Sequence, residues 1–140
     1  MAHIGDMKAG NYMRTATYQV EQDYRQDMAR FLQEYTMPIA QSRIGDGRLV
    51  GWGVTQPAAA IMSDDEAGFS YSISNVPKES DTLLAGPGAL TEEAFKKAVP
   101  GKSYPTYLNE LNRLNDHRKV TRTRIHEIVC LAGTPPTVTP

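Results

Sequence analysis

The chain has 140 residues, with 15 Lys and Arg against 16 Asp and Glu, a formal net charge of −1. That length suits one domain able to bury about two-thirds of its unfolded surface without disulfides, and the near-neutral balance argues against nucleic-acid binding through a basic face. No apolar run approaches the roughly 18 residues of a membrane span, so no membrane partner is expected.

Nothing at the start reads as a charged n-region followed by an apolar h-region. As it stands the sequence reads as cytoplasmic, although Met1-Ala2-His3-Ile4-Gly5-Asp6 is equally what would follow the removal of an export signal. Residues 1–11 read as a flexible N-terminal segment, 12–132 as the folded domain, and the Pro- and Thr-rich 133–140 as an extended tail or an arm laid on a neighbour.

Tyr12 to Val20 reads as the first strand, rich in Thr and Tyr and free of Gly and Pro. Alternation puts Tyr12, Arg14, Ala16, Tyr18 and Val20 on one face and Met13, Thr15, Thr17 and Gln19 on the other. A helix then starts near Gln22 or Asp23, and Tyr24, Met28, Phe31, Leu32 and Tyr35 form its apolar stripe. Pro38 falls inside the pattern, and Ile39 and Ile44 continue it, so a kink is expected near Thr36 or Met37. Gly45 and Gly47 end the helix. Val50, Trp52 and Val54 then alternate as a strand, while Gly51 and Gly53 leave its other face bare enough for something to approach the backbone.

Residues 56–67 read as a loop with an acidic tip at Asp64, Asp65 and Glu66, which lack the alternation and central Gly of a calcium loop. From Gly68 to Val76, Phe69, Tyr71 and Ile73 alternate with Ser70, Ser72 and Ser74 until Pro77 ends the strand. Thr91 caps a short helix with Glu92 and Glu93 in its first turn. Ser103 caps the next, whose stripe is Tyr104, Tyr107, Leu108, Leu111 and Leu114. Thr121 to Leu131 is the last strand. The order is β-α-β-β-α-β, an α+β ferredoxin-like plan with two helices on one face of a four-stranded antiparallel sheet. Its uncovered face, read together with Trp52, suggests two sheets paired face to face in a homodimer.

The run Tyr18, Arg25, Pro38, Ile39, Gly47 and Gly51-Trp52, with Ala94-Phe95-Lys96-Lys97-Ala98-Val99-Pro100-Gly101-Lys102 and a basic last strand, resembles the dimeric α/β-barrel superfamily. It is most similar to a bacterial group within the part of that superfamily related to antibiotic-biosynthesis monooxygenases. The resemblance spans about residues 12 to 131. It implies a homodimer whose sheets close a barrel, with a pocket in or beside each protomer. Members include cofactor-free monooxygenases, haem-degrading enzymes, polyketide cyclases, chlorite-dismutase-like haem proteins and ligand-binding regulatory domains, and fold does not choose among them. The haem degraders' Asn, Trp and His constellation finds no position-by-position match.

The histidines His3, His117 and His126 have no ligand spacing and there is one cysteine, so no metal or other cofactor is expected. Cys130, in an apolar run, reads as a buried thiol. His117, at a polar helix end, reads as surface. Gly101-Lys102-Ser103 ends like a phosphate loop, but the required upstream glycine is Lys96. The late cluster Arg113, Arg118, Lys119, Arg122 and Arg124 reads as solvated surface or a local anion contact. On the last strand Arg122, Arg124 and His126 share one face, either turned to solvent or lining the barrel with Thr15, Thr17, Ser70, Ser72 and Ser74.

Three functions remain open. The first is a binding protein with a pocket for a flat, largely apolar or aromatic small molecule, contacted by Trp52, Tyr18, Tyr71, Ser72 and Thr17. The second is a cofactor-independent monooxygenase or polyketide-cyclase-like enzyme, with His126 as base and Arg124 stabilising an oxyanion. The third is a structural dimer with a filled barrel.

Overall fold

The computed structural model describes residues 7–56, 69–79 and 90–132. His3, the acidic tip Asp64-Asp65-Glu66 and the tail from Gly133 lie outside them.

Strand β1 is Tyr12–Val20, and a 3₁₀ turn at Gln22–Tyr24 leads into α1, Arg25–Phe31. A π-helical turn over Leu32–Thr36 joins α1 to α2, Met37–Gly45, without breaking the rod. The widened turn has a local cause. Pro38 has no N–H to donate and its ring crowds the preceding turn, so the Met37 amide reaches back to the Leu32 carbonyl. In place of the expected kink near Thr36 or Met37, the helix has this π-turn.

Helix α2 ends in a Schellman turn: Gly47 N–H bonds the Ile44 carbonyl at 3.0 Å and Arg48 N–H the Arg43 carbonyl at 2.9 Å. Gly47 takes φ 77°, open to glycine at no steric cost. Strand β2 follows as Leu49–Thr55, then β3, Phe69–Pro77, helices α3, Glu92–Ala98, and α4, Tyr104–Asn115, and β4, Arg118–Glu127. Thr91 and Ser103 cap α3 and α4 through hydrogen bonds from Ala94 N–H and Thr106 N–H.

The four strands form one antiparallel sheet in the order β2-β3-β1-β4. With the element order, that arrangement is the ferredoxin-like fold, helices on one side of the sheet. Register fixes the two faces. Toward the helices point Arg14, Ala16, Tyr18 and Val20 of β1, opposite Asn75, Ile73 and Tyr71 of β3. On the open face Thr15 and Thr17 pair with Ser74 and Ser72, hydroxyl to hydroxyl at 2.8 and 3.0 Å. The core lies under the helices, where Val20, Phe31, Leu32, Tyr35 and Leu114 surround Met28 and Phe95, both fully buried.

Four expectations are corrected. Trp52 pairs with Asn75, so it belongs to the helix side and is not an aromatic of the open face. The last strand runs Arg118–Glu127 rather than Thr121 to Leu131, and Cys130 beyond its end is exposed. His117 is half-buried: its ring stacks on Tyr24 at 3.6 Å and its Nδ1 lies 2.6 Å from Glu21 Oε2. The bare backbone of β2 does meet a neighbour at one of its two glycines. Met7 lies against Gly51, where a Cβ would collide with the thioether, while Gly53 remains open.

Candidate functional site

A cleft of about 460 Å³ lies between the helix-facing side of the sheet and the helices. One row of side chains crosses its floor on three adjacent strands: Trp52 beside Asn75, and Asn75 beside Arg14. The next row adds Ile73 and Ala16, and Tyr18 follows. Helix α2 contributes Ile39, Ala40 and Arg43 to the roof, and α4 contributes Tyr104, Tyr107, Leu108 and Leu111. The small Ala16 and Ala40 leave space where larger residues would fill it.

Strand β4 reaches this cleft through a bulge. Its register against β1 shifts between Thr17 and Tyr18, so Arg122 faces Thr17 while Val120 faces Tyr18. The unpaired Thr121 donates its hydroxyl to the Thr17 carbonyl at 3.3 Å. Strict alternation from Thr123 would have turned Thr121 and Lys119 toward the helices. The extra residue turns Val120 and Arg118 there instead.

Arg118 is held from three sides. Its Nε donates to Asn115 Oδ1 at 2.9 Å, its Nη1 lies 3.4 Å from Met28 Sδ, and its guanidinium carbon stands 4.6 Å from the centre of the Tyr18 ring. Burial lowers its pKa from the ordinary arginine value. Burial first, then the charge of Arg48, does the same at Arg43. Both remain cationic at neutral pH. Burial raises the pKa of the Tyr107 hydroxyl, against which the charges of both Arg43 and Arg118 act.

A second cleft, of about 450 Å³, opens on the other side of Trp52, lined also by Leu32, Met37, Val54 and Tyr71. Trp52 is therefore a wall common to both. Tyr71 is 7% exposed and donates its hydroxyl to the Arg25 carbonyl at 3.4 Å, so most of the ring is packed in the core.

The residues singled out in the sequence divide between the two sides of the sheet. Trp52 and Tyr18 line the first cleft, and Trp52 and Tyr71 the second. Thr17, Ser72, Arg124 and His126 lie on the open face, where Arg124 pairs with Thr15 and His126 with Met13. The alternation of Arg122, Arg124 and His126 with Thr123 and Ile125 is as expected, and the row shares its face with Thr15, Thr17, Ser72 and Ser74. Arg124 and His126 are exposed and line neither cleft. Arg14, Arg43 and Asn75 were not among the candidates. Arg14 was legible through its shared face with Ala16 and Tyr18, whereas Asn75 needed the β2–β3 register to bring it beside Trp52.

Among the described residues no group of three or more His, Cys, Asp or Glu is placed to hold a metal, and no helix is long and apolar enough to cross a membrane. No protein-family model matches the chain, and no curated protein does. Solved structures resemble it, among them two that span nearly all of this chain. One is a dimeric ferredoxin-like protein from an uncultured marine organism, 9% identical, covering 96% of this chain and 97% of that one at a TM-score of 0.49. The other is a variant of SnoaB, a cofactor-independent oxygenase from Streptomyces nogalater, 13% identical, covering 94% of this chain and 100% of that one at a TM-score of 0.41. Likeness at this level carries nothing about activity or assembly.

Proposed function

We propose that this protein binds a flat, largely apolar small molecule in the cleft between the sheet and the helices. The observation that carries this reading is the cleft itself, about 460 Å³ with Trp52, Tyr18, Tyr104 and Tyr107 in its walls. Volumes of this order suit small organic ligands, and aromatic walls with a few polar groups favour planar ones. The cleft also weighs against a purely structural role with a filled interior.

An acid–base enzyme using His126 and Arg124 would have to work on the open face of the sheet, apart from Trp52 and Tyr18. The binding reading is preferred because it uses the groups that already share one enclosure.

The assembly proposed with it is a homodimer. Strand β4 exposes Val120 and Ile125, and Val129 and Leu131 continue the apolar surface beyond its end. Val120 and Ile125 face the helix side of this edge strand, so a second copy packed along the β4 edge would remove these residues from water. Light scattering should give twice the 15.5 kDa chain mass at micromolar concentration; a monomer there would end the proposal of a shared barrel.

Trp52 is the chain's one tryptophan, so its fluorescence reports cleft occupancy without a label. Planar aromatic compounds of two to four rings should change that emission saturably, one per chain. Ala16→Leu, which adds bulk to the cleft floor, should abolish the change while preserving the thermal melt. Undiminished binding by a folded Ala16→Leu variant would place the ligand elsewhere.

A further inference from the structure

The polar groups of this cleft carry one sign of charge. Arg14 enters from β1, Arg43 from α2 and Arg118 from β4, and no Asp or Glu is among the described residues lining it. No carboxylate lies within ion-pairing distance of any of the three among the described residues. Arg43 and Arg118 are both half-buried, and the like charge of Arg48 acts on Arg43. Elsewhere some cations are paired, Lys97 with Asp46, Arg113 with Asp27, Lys96 with Glu92 and Lys102 with Glu34, while others such as Lys119, Arg122 and Arg124 are exposed to water. What sets Arg43 and Arg118 apart is that they are partly withdrawn from water and still have no carboxylate beside them.

Cations partly withdrawn from water and left without counter-charge lower the stability of the empty protein. They also leave guanidinium forks available for a planar anion, which such forks match in geometry. Asn75, between Arg14 and Trp52, adds an amide able to donate or accept at the same wall.

We propose that the cleft selects planar aromatic acids, bound as their anions, with the ring system against Trp52 and Tyr18 and the carboxylate held by guanidinium groups of Arg14, Arg43 and Arg118. This rests on the reading of the cleft as a ligand site and names the chemical class of what enters it. The apolar walls supply affinity for the ring, and the arginines discriminate the ionised acid from neutral molecules of the same shape.

The test pairs each of a series of acids with its neutral amide: benzoate, 2-naphthoate and anthracene-2-carboxylate beside benzamide, 2-naphthamide and anthracene-2-carboxamide. Binding is followed by Trp52 emission and calorimetry. At least one acid should bind ten-fold or more tighter than its amide, with the advantage shrinking as salt rises. Arg43→Gln should remove most of that advantage without altering amide binding, and Arg14→Gln should do so in part. Arg118 also holds Asn115 and stacks on Tyr18, so the decision rests on the other two variants, each first shown to be folded by its melt. Equal affinity for acid and amide overturns the anion selectivity and leaves the apolar cleft standing. An acid preference untouched by both variants overturns the assignment of these arginines. Failure of every acid and amide to bind overturns the cleft as a ligand site and the selectivity with it.

Discussion

Arg118 and Tyr18 sit on neighbouring strands with the guanidinium carbon 4.6 Å from the ring centre. The contact exists because the β4 bulge brings residues 118 and 120 to the helix side. An Arg–aromatic contact shielded from water contributes on the order of 1 kcal/mol, and lysine does not reproduce it. A double-mutant cycle of Arg118→Lys and Tyr18→Leu should show coupling of about 1 kcal/mol by denaturant unfolding. Strict additivity would mean that the stacking contributes nothing to the fold.

Phe95 and Trp52 should separate stability from binding. Phe95 is fully buried among the rings of Tyr35, Tyr104 and Tyr107, and Phe95→Ala should lose about 3–5 kcal/mol. Trp52 borders open space on two sides, so Trp52→Ala should cost roughly half as much or less. Calorimetric titration should nevertheless show aromatic binding lost in Trp52→Ala. Equal destabilisation by the two substitutions would make Trp52 a core residue.

The two glycines at the end of α2 should respond oppositely to alanine. At Gly47, with φ 77°, a Cβ meets no neighbour but strains the backbone, and Gly47→Ala should destabilise by about 1 kcal/mol. Gly45 is the last helical residue and is equally unobstructed, so Gly45→Ala should be neutral or stabilising by up to roughly 1 kcal/mol. Chemical-denaturation midpoints of the two variants measure the difference directly.

Asp46 ties the end of α2 to α3 through Lys97 Nζ, 2.8 Å from its Oδ1. That hydrogen bond is the main reason its carboxyl titrates below the ordinary aspartate value, aided by the charges of Lys97 and Arg48. A carboxyl with a depressed folded value contributes stability above its unfolded pKa, about 3.9, and loses it as pH falls through the folded one. The pair is exposed, so the effect is small. Carboxyl ¹³C titration should show Asp46 moving upward in Lys97→Gln, with a shallower acid limb in its melting curve. An unmoved titration would remove Lys97 as the cause.

Much of the frame was readable in the residues themselves. Ser70, Ser72 and Ser74 alternating with Tyr71 and Ile73 gave β3 its two faces, and Pro38 in an unbroken apolar stripe pointed to the irregular turn before α2. The cleft was harder to read because its parts come from remote positions that only strand register brings together. Asn75 is near the end of a serine-rich strand and becomes notable only once Trp52 stands beside it. Arg43 carries no signal in the sequence, and only the fold places it over the sheet. The interior place of Arg118 depends on Thr121 being skipped by the pairing, which no periodicity in β4 announces. Cys130 misled for a related reason: an apolar run reads as a strand, and here it follows one.

The skipped residue in β4 also bears on how this chain would be matched to its kin. A relative of the same length whose strand paired every residue here, without the bulge, would keep a similar strand yet present the equivalents of Lys119 and Thr121 inward, exchanging the occupants of the cleft wall for those of the open face. The presence or absence of the bulge thus changes binding chemistry without changing architecture. Proteins sharing the fold can diverge in ligand through strand pairing at this place alone, and residue-by-residue comparison between a bulged and an unbulged strand pairs side chains that face opposite sides of the sheet.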